Sequence, residues 1–316
     1  MADPHVIFLS PEVNPEAKPG EKRWERKGLT GRLAVLPDGE RAAVVCGNDV
    51  KIVDFQSGAS LLALSGHVGD VEVIACSPDG RFLVSGDEDG QVRLWDLPSG
   101  ECLKTLNAHR IGVTSAAFSP DGQRFATGGW DRFIRIWNVS RNRCVRKLKM
   151  EDPGIAWSLD FSPDGQFLAS SGREGICVRE VRTGTCVLTI PCEQAFSVHY
   201  SSDGRFLTAG CSDHAIRIWS ASTGRCLKKL KGHSESVISV LFSSGARFLV
   251  SAGRDGTIRL WDAASRACLK TFEIFVGWLE SVCFLPDGQT ILSSELGGAF
   301  RFWDVASGTC RKVLEG

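Results

Sequence analysis

The apolar positions of this chain do not follow a helical period. They come in short runs cut by clusters of Gly, Pro, Asp and Ser. Between residues 71 and 106, for example, VEVIAC is followed by SPDG, RFLVS by a turn at Asp89-Gly90, QVRLWD by a turn at Ser99-Gly100, and then CLKTL. Gln91–Asp96 sets Val92 and Leu94 on one face and Arg93 and Trp95 on the other, the period of two that belongs to a pleated strand. Turn formers bound every run. The stretch therefore predicts four strands, a to d, at Val71–Cys76, Arg81–Ser85, Gln91–Asp96 and Cys102–Leu106, and no other stretch shows a convincing helical pattern. The fold class is all-β.

The same unit recurs. Its a–b turn stands at Pro37–Gly39, Pro78–Gly80, Pro120–Gly122, Pro163–Gly165, Ser202–Gly204 and Pro286–Gly288, with a degenerate Ser244–Ala246. Strand c carries Trp95, Trp137, Trp219, Trp261 and Trp303, with Val53 and Glu180 read at that place in the first and fourth units. Strand d opens with Cys102, Cys144, Cys186, Cys226, Cys268 and Cys310, with Ser60 in the first. The three markers agree on seven units of a length suited to propeller blades. A lone four-stranded sheet cannot bury both faces, but radial stacking closes the set and shortens the exposed edges. The prediction is a seven-bladed β-propeller with four antiparallel strands per blade, over residues 29–316. Residues 1–28 form an N-terminal extension, rich in Pro and mixed charge, expected to be partly extended or disordered. Its apolar Val6–Leu9 could add to a sheet edge.

Composition narrows the function. Lys plus Arg number 37 and Asp plus Glu 37, so no excess of cations exists to neutralise nucleic-acid phosphates or an anionic membrane. No apolar run reaches the roughly 18 residues of a membrane span. The twelve cysteines are not a disulfide framework. Six recur at one place in separate blades, beyond the roughly 7 Å Cα reach of a disulfide, and are expected as small buried side chains near the rim. Free thiols fit a reducing, cytoplasmic setting. The six histidines show no metal-ligand spacing, and no phosphate loop or nucleophile elbow is present, so no cofactor or metal is expected.

Gly66-His67 with Trp95-Asp96, Gly232-His233 with Trp261-Asp262, and Ala108-His109 with Trp137-Asn138 repeat in register. On these pairs the chain resembles the WD-repeat propellers, from about Gly31 to Gly316. The resemblance implies a buried tetrad of His, the b–c turn Asp, a strand-b hydroxyl and the Trp. That gives His67, Asp89, Ser85 and Trp95; His109, Asp131, Thr127 and Trp137; and His233, Asp255, Ser251 and Trp261. Each polar group can find a partner in such a set. It also looks like a Ser-His-Asp triad, but recurrence in three blades favours a structural role. Units 1, 4, 5 and 7 lack one or more members: Glu174 and Glu180 stand in the fourth, Ala209 in the fifth and Gly297 in the seventh.

The resemblance further implies partner contacts on the top face, made by the residue before the b–c Asp and by the first residues of strand a. These include Glu88, Trp130, Arg173 and Arg254 from the first set, and Val68, Asp70, Arg110, Gln194, Ser236 and Trp278 from the second. Trp and Arg dominate interface hot spots. Trp130 and Trp278 are expected to anchor a protein or peptide partner, with Arg110, Arg173 and Arg254 selecting acidic or phosphorylated groups. The leading expectation is a non-enzymatic interaction scaffold or sensor module, monomeric on its own. The alternatives are a structural subunit packed permanently in a larger complex and, more remotely, a hydrolase using channel carboxylates such as Asp70, Asp160 or Glu280.

Overall fold

The computed structural model describes residues 33–150, 154–274, 279–295 and 299–314. Among them, seven four-stranded antiparallel sheets follow one another in chain order, each built a-b-c-d from consecutive strands. Blade 2 comprises Val71–Cys76, Phe82–Asp87, Gln91–Asp96 and Glu101–Asn107. Strand b thus runs two residues further than the hydrophobic pattern indicates, because Gly86 and Asp87 still pair with the neighbouring strands. The N-terminal extension lies outside the described residues, as does Val6–Leu9.

The core lies between sheets. Alternating residues of strands b and c point to opposite faces, and both faces are covered, so Val84, Val92, Leu94, Ala126, Ile134 and Ile136 join one cluster across blades 2 and 3. This is why the b and c strands read as almost unbroken apolar runs. Strand d is the outer edge and is largely exposed (Glu101–Asn107 shows a single half-buried position).

That placement corrects the expectation for the six recurrent cysteines. Cys102, Cys144, Cys186, Cys226, Cys268 and Cys310 are exposed, not buried. Each sits where the c–d register slips opposite the aromatic position of strand c, as with Trp95 and Cys102. There the thiol reaches the carbonyl two residues on, at 3.0 Å for Cys144 and 3.3 Å for Cys268.

Blade 7 takes all four strands from the C-terminal part of the chain, and blade 1 follows directly in space. Leu33, Val35 and Val44 of blade 1 pack with Leu285, Leu292 and Phe302 of blade 7, and Phe55 meets Phe302 edge-on at 5.0 Å. Lys312 donates to the carbonyls of Phe55 and Gln56 at 2.7 and 2.6 Å. The same strut recurs inside the ring, where Lys228 donates to Ala264 O at 3.0 Å and Lys270 to Ala306 O. At the opposite end, Gly39 (φ +72°) abuts Pro286 just as Gly80 abuts Pro37. Ring closure therefore uses the same contacts as any other blade junction.

Candidate functional site

Three buried polar networks occupy the top of blades 2, 3 and 6. In blade 3, His109 Nδ1 lies 2.8 Å from Asp131, its Nε2 is 2.9 Å from Thr127 Oγ1, and the Trp137 indole donates to the same hydroxyl at 3.0 Å. In blade 6, His233 lies 2.9 Å from Asp255 and 2.7 Å from Ser251, which accepts from Trp261 at 2.9 Å. The pairing is consistent with imidazole N–H donating to carboxylate, hydroxyl donating to the bare ring nitrogen, and indole donating to the hydroxyl oxygen. Burial pushes the His109 imidazole down to about 4, although Asp131 pulls the other way. His233 is lowered by the same cause.

Blade 2 departs from the expected set. His67 Nδ1 bonds Asp87 at 2.6 Å, and its Nε2 bonds Ser85 at 2.6 Å, with Trp95 donating to Ser85 at 2.8 Å. Asp89, the predicted member, is exposed and lies outside the network. The cause is the residue two before it. Blades 3 and 6 carry Gly129 and Gly253 there, where a Cβ would come within 2.2 and 2.4 Å of the histidine ring. Blade 2 carries Asp87, whose carboxylate reaches the ring from that closer position. It also accepts the turn amides of Asp89 and Gln91 at 3.2 and 2.8 Å.

Blade 4 brings a second correction. Its b–c hairpin is one residue shorter, closing on the Gly172–Gly175 pair. Arg179, not Glu180, therefore takes the tryptophan position opposite Cys186. The guanidinium donates to Ser170 Oγ at 3.1 Å, as the indoles do elsewhere. Among its described residues, blade 7 keeps the indole–hydroxyl bond, Trp303 to Ser293 at 2.9 Å. Ser85, Thr127 and Ser251 are each 0% exposed, so no substrate reaches these hydroxyls.

The predicted top-face residues that are described lie in the b–c turns and at the starts of strands a. A backbone bond ties the b–c turn to the start of strand a in each of four blades: Glu88 to Asp70 O at 3.0 Å, Trp130 to Gly112 O at 3.0 Å, Ser212 to Gln194 O at 3.2 Å, and Arg254 to Ser236 O at 2.8 Å. Two sectors result. On blades 2 and 3, Gly112 is wedged between the Glu88 backbone and Trp130, with exposed Arg110 alongside. Trp130 is half-buried, so one edge packs on the loop and the other stays open. Val68 and Ile111 stand out at 86% and 56% exposure. Glu88 is raised above the usual carboxylate range by burial, with Asp70 and Asp89 adding to the effect.

On blades 4 to 6, the exposed Arg173 holds Gln194 through its carbonyl at 3.2 Å. Arg254 lies over the Phe196 ring at 5.6 Å, and Phe196 stacks on Trp157 at 5.4 Å. Trp157 Nε1 is buried without a protein acceptor. Trp157 and Phe196 escaped sequence reasoning, because the stack joins the starts of two strands a in different blades. Trp278, the second predicted anchor, lies outside the described residues. Of the channel carboxylates, Asp160 accepts the Tyr200 amide at 2.7 Å, Glu280 is buried, and Asp70 is half-buried at the rim.

The repeat matches the family model "WD domain, G-beta repeat" six times, at residues 58–96, 100–138, 142–178, 184–220, 224–262 and 266–304. The chain belongs to the WD-repeat family. Each matched WD repeat joins strand d of one blade to strands a to c of the next, so six repeats and the two chain ends make seven blades. The WD-repeat protein is also similar, over 75 residues, to the serine-threonine kinase receptor-associated protein of Bos taurus and of Homo sapiens, each at 35% identity, and to that of Gallus gallus at 33%. These alignments cover 23% of this chain and 21% of each relative. The chain thus spans about a fifth of the length of these curated relatives. Among the described residues no helix is long and apolar enough to cross a membrane, and no cluster of three or more His, Cys, Asp or Glu has a metal-site arrangement.

Proposed function

We propose that this WD-repeat propeller is a non-enzymatic, cytoplasmic interaction platform that binds a protein or peptide segment on its top rim. The observation that carries the reading is the composition of that rim. Trp130, Val68 and Ile111 offer open apolar surface beside Arg110, where the underlying loops are pinned by backbone bonds, and Arg173 and Arg254 stand in the second sector of the same rim. A pre-organised rim loses little entropy on binding. The arginines suit acidic or phosphorylated side chains of the partner. Asp70, Glu88 and Asp89 on the same rim repel a uniform polyanion, which favours a peptide of mixed character over nucleic acid. The relatives' name associates them with a serine-threonine kinase receptor, in keeping with a protein partner here. The Ser-His-Asp sets support structure and not catalysis, since their hydroxyls are sealed.

The test is fluorescence anisotropy against a panel of acidic peptides, each with and without phosphate, using the wild-type chain and Arg110→Ala, Arg254→Ala and Trp130→Ala. Each substitution is expected to weaken the preferred peptide about tenfold, the equivalent of one good contact of about 1.4 kcal/mol, with melting unchanged. Equal affinity across wild type and variants would remove the top rim as the site.

A further inference from the structure

Blade 5 has lost the histidine network and holds sulfur in its place. Glu193, exposed, stands where the histidine would follow strand d of blade 4. Cys211, fully buried, takes the position that Gly129 and Gly253 hold beside the histidine rings of blades 3 and 6. With no ring to strike, a side chain fits there. Cys192, the residue before Glu193, is half-buried and packs against the buried cluster that contains Cys211.

Cys211 is held by its backbone. Cys211 N donates to Ala215 O at 3.1 Å, and its carbonyl accepts from Val237 N at 3.1 Å. Cys211 also bridges Ala195, three residues past Cys192. The two thiols also interact electrostatically. Beside them Arg217 grips Asp213 with two bonds of 2.7 and 2.5 Å, and Lys229 adds a third at 2.7 Å. The Arg217 charge also acts on Cys211. The interaction with Cys192 holds the Cys211 thiol below its ordinary range, with Arg217 adding to this against the effect of burial, while Cys192 is raised.

We propose that Cys192 and Cys211 are an oxidation site, converted by peroxide-class oxidants into a disulfide that staples the blade 4–5 loop to the end of strand b. The balance is simple. One thiol of the pair gives its proton to solvent, and its thiolate attacks a peroxide oxygen. The O–O bond breaks, leaving a sulfenic acid on that cysteine and releasing hydroxide, which takes a proton from solvent to become water. The second sulfur then attacks the first, the S–O bond breaks, and hydroxide leaves with the second thiol's proton as another water. Two thiols lose two electrons and the peroxide gains them. The staple is placed to stiffen the rim, because Gln194 bonds both Arg173 and Ser212 through its backbone. The proposal concerns the thiols alone and stands whether or not the rim binds a peptide.

The experiment exposes the folded full chain to hydrogen peroxide, blocks residual thiols with N-ethylmaleimide, and digests with trypsin without reduction. Cleavage after Arg182, Arg205 and Arg217 separates a peptide holding Cys186 and Cys192 from one holding Cys211. The expected product is these two peptides joined, present in the wild type and in Cys186→Ser, and lost in Cys192→Ser and Cys211→Ser. Thermal melting of the serine variants checks that they fold. Should Cys211→Ser fold poorly, Cys192→Ser alone carries the comparison with Cys186→Ser. Joined peptides that persist in Cys192→Ser, or a wild type oxidised only at other cysteines, would overturn the assignment.

Discussion

Replacing Asp87 by alanine should cost blade 2 far more than the same change at Asp89, although the two acids lie two residues apart in one turn. The Asp87 side chain is 1% exposed and accepts from His67 and from two turn amides. Truncation leaves a buried imidazole N–H and the Gln91 amide without acceptors. Breaking a buried pair by removing one member costs about 3–5 kcal/mol. Asp89 is exposed, and its loss should stay within about 0.5 kcal/mol. For a domain of this size, 3 kcal/mol corresponds to a fall in Tm of about 6 °C. Calorimetry or urea unfolding of Asp87→Ala, Asp89→Ala and Asp87→Gly reads the difference. The glycine variant is informative, because blades 3 and 6 pair glycine there with an acid two residues on. Asp87→Gly should free Asp89 to take over His67 and lose less than Asp87→Ala, and adding Asp89→Ala to it should remove that recovery. An Asp89→Ala variant that melts as low as Asp87→Ala would refute the assignment of Asp87 to the network.

Acid should weaken the fold through His109. The unfolded chain binds a proton at His109 near the ordinary value of about 6.5, which the folded blade refuses until about 4. The contribution of about 3 kcal/mol is whole above pH 6.5 and is lost as pH falls toward 4; melting at pH 7.5, 5.5 and 4.5 shows the decline, and His109→Gln should flatten it. Lys312→Ala should cost about 1–2 kcal/mol and speed amide exchange first in blades 1 and 7, since it unties the junction that closes the ring; uniform exchange would speak against this closure. Arg179→Trp should raise stability by about 1 kcal/mol, because an indole can make the Ser170 bond without a buried charge; a lower Tm would show that Arg179 serves another partner.

The blade count was readable because turn geometry leaves few choices. Gly80, Gly122 and Gly165 adopt φ of 65–69°, which other residues resist, so the a–b turns carry their mark in the sequence. The networks of blades 3 and 6 were readable for a similar reason, since glycine before the turn leaves one acid able to reach the ring. Blade 2 offered two aspartates, and counting from the turn glycine selects Asp89, whereas the actual choice depends on the vacancy that Asp87 fills. In blade 4 a hairpin one residue shorter shifts the strand-c register, so counting from neighbouring blades selects Glu180 over Arg179. The exposure of the strand-d cysteines was hidden because small and uncharged residues suggest burial, while the edge position decides otherwise. The Trp157–Phe196–Arg254 stack has no local signature at all, because it joins three blades.

These departures fall in a pattern with a physical basis. A complete network commits the b–c turn acid, the strand-b hydroxyl and the loop histidine to one another, and so restricts what those loops can carry. Blades 4 and 5 are released from that constraint and hold their interiors by other means, Arg179 on Ser170 in one and the Arg217–Asp213–Lys229 group beside two thiols in the other. The same two blades supply Arg173, Trp157 and Phe196 to the rim, where Arg254 of blade 6 joins them. Rigidity in blades 2, 3 and 6 and chemical variety in blades 4 and 5 are therefore two sides of one arrangement. The regular blades fix the ring, so the irregular ones can present distinctive side chains without losing their place in it.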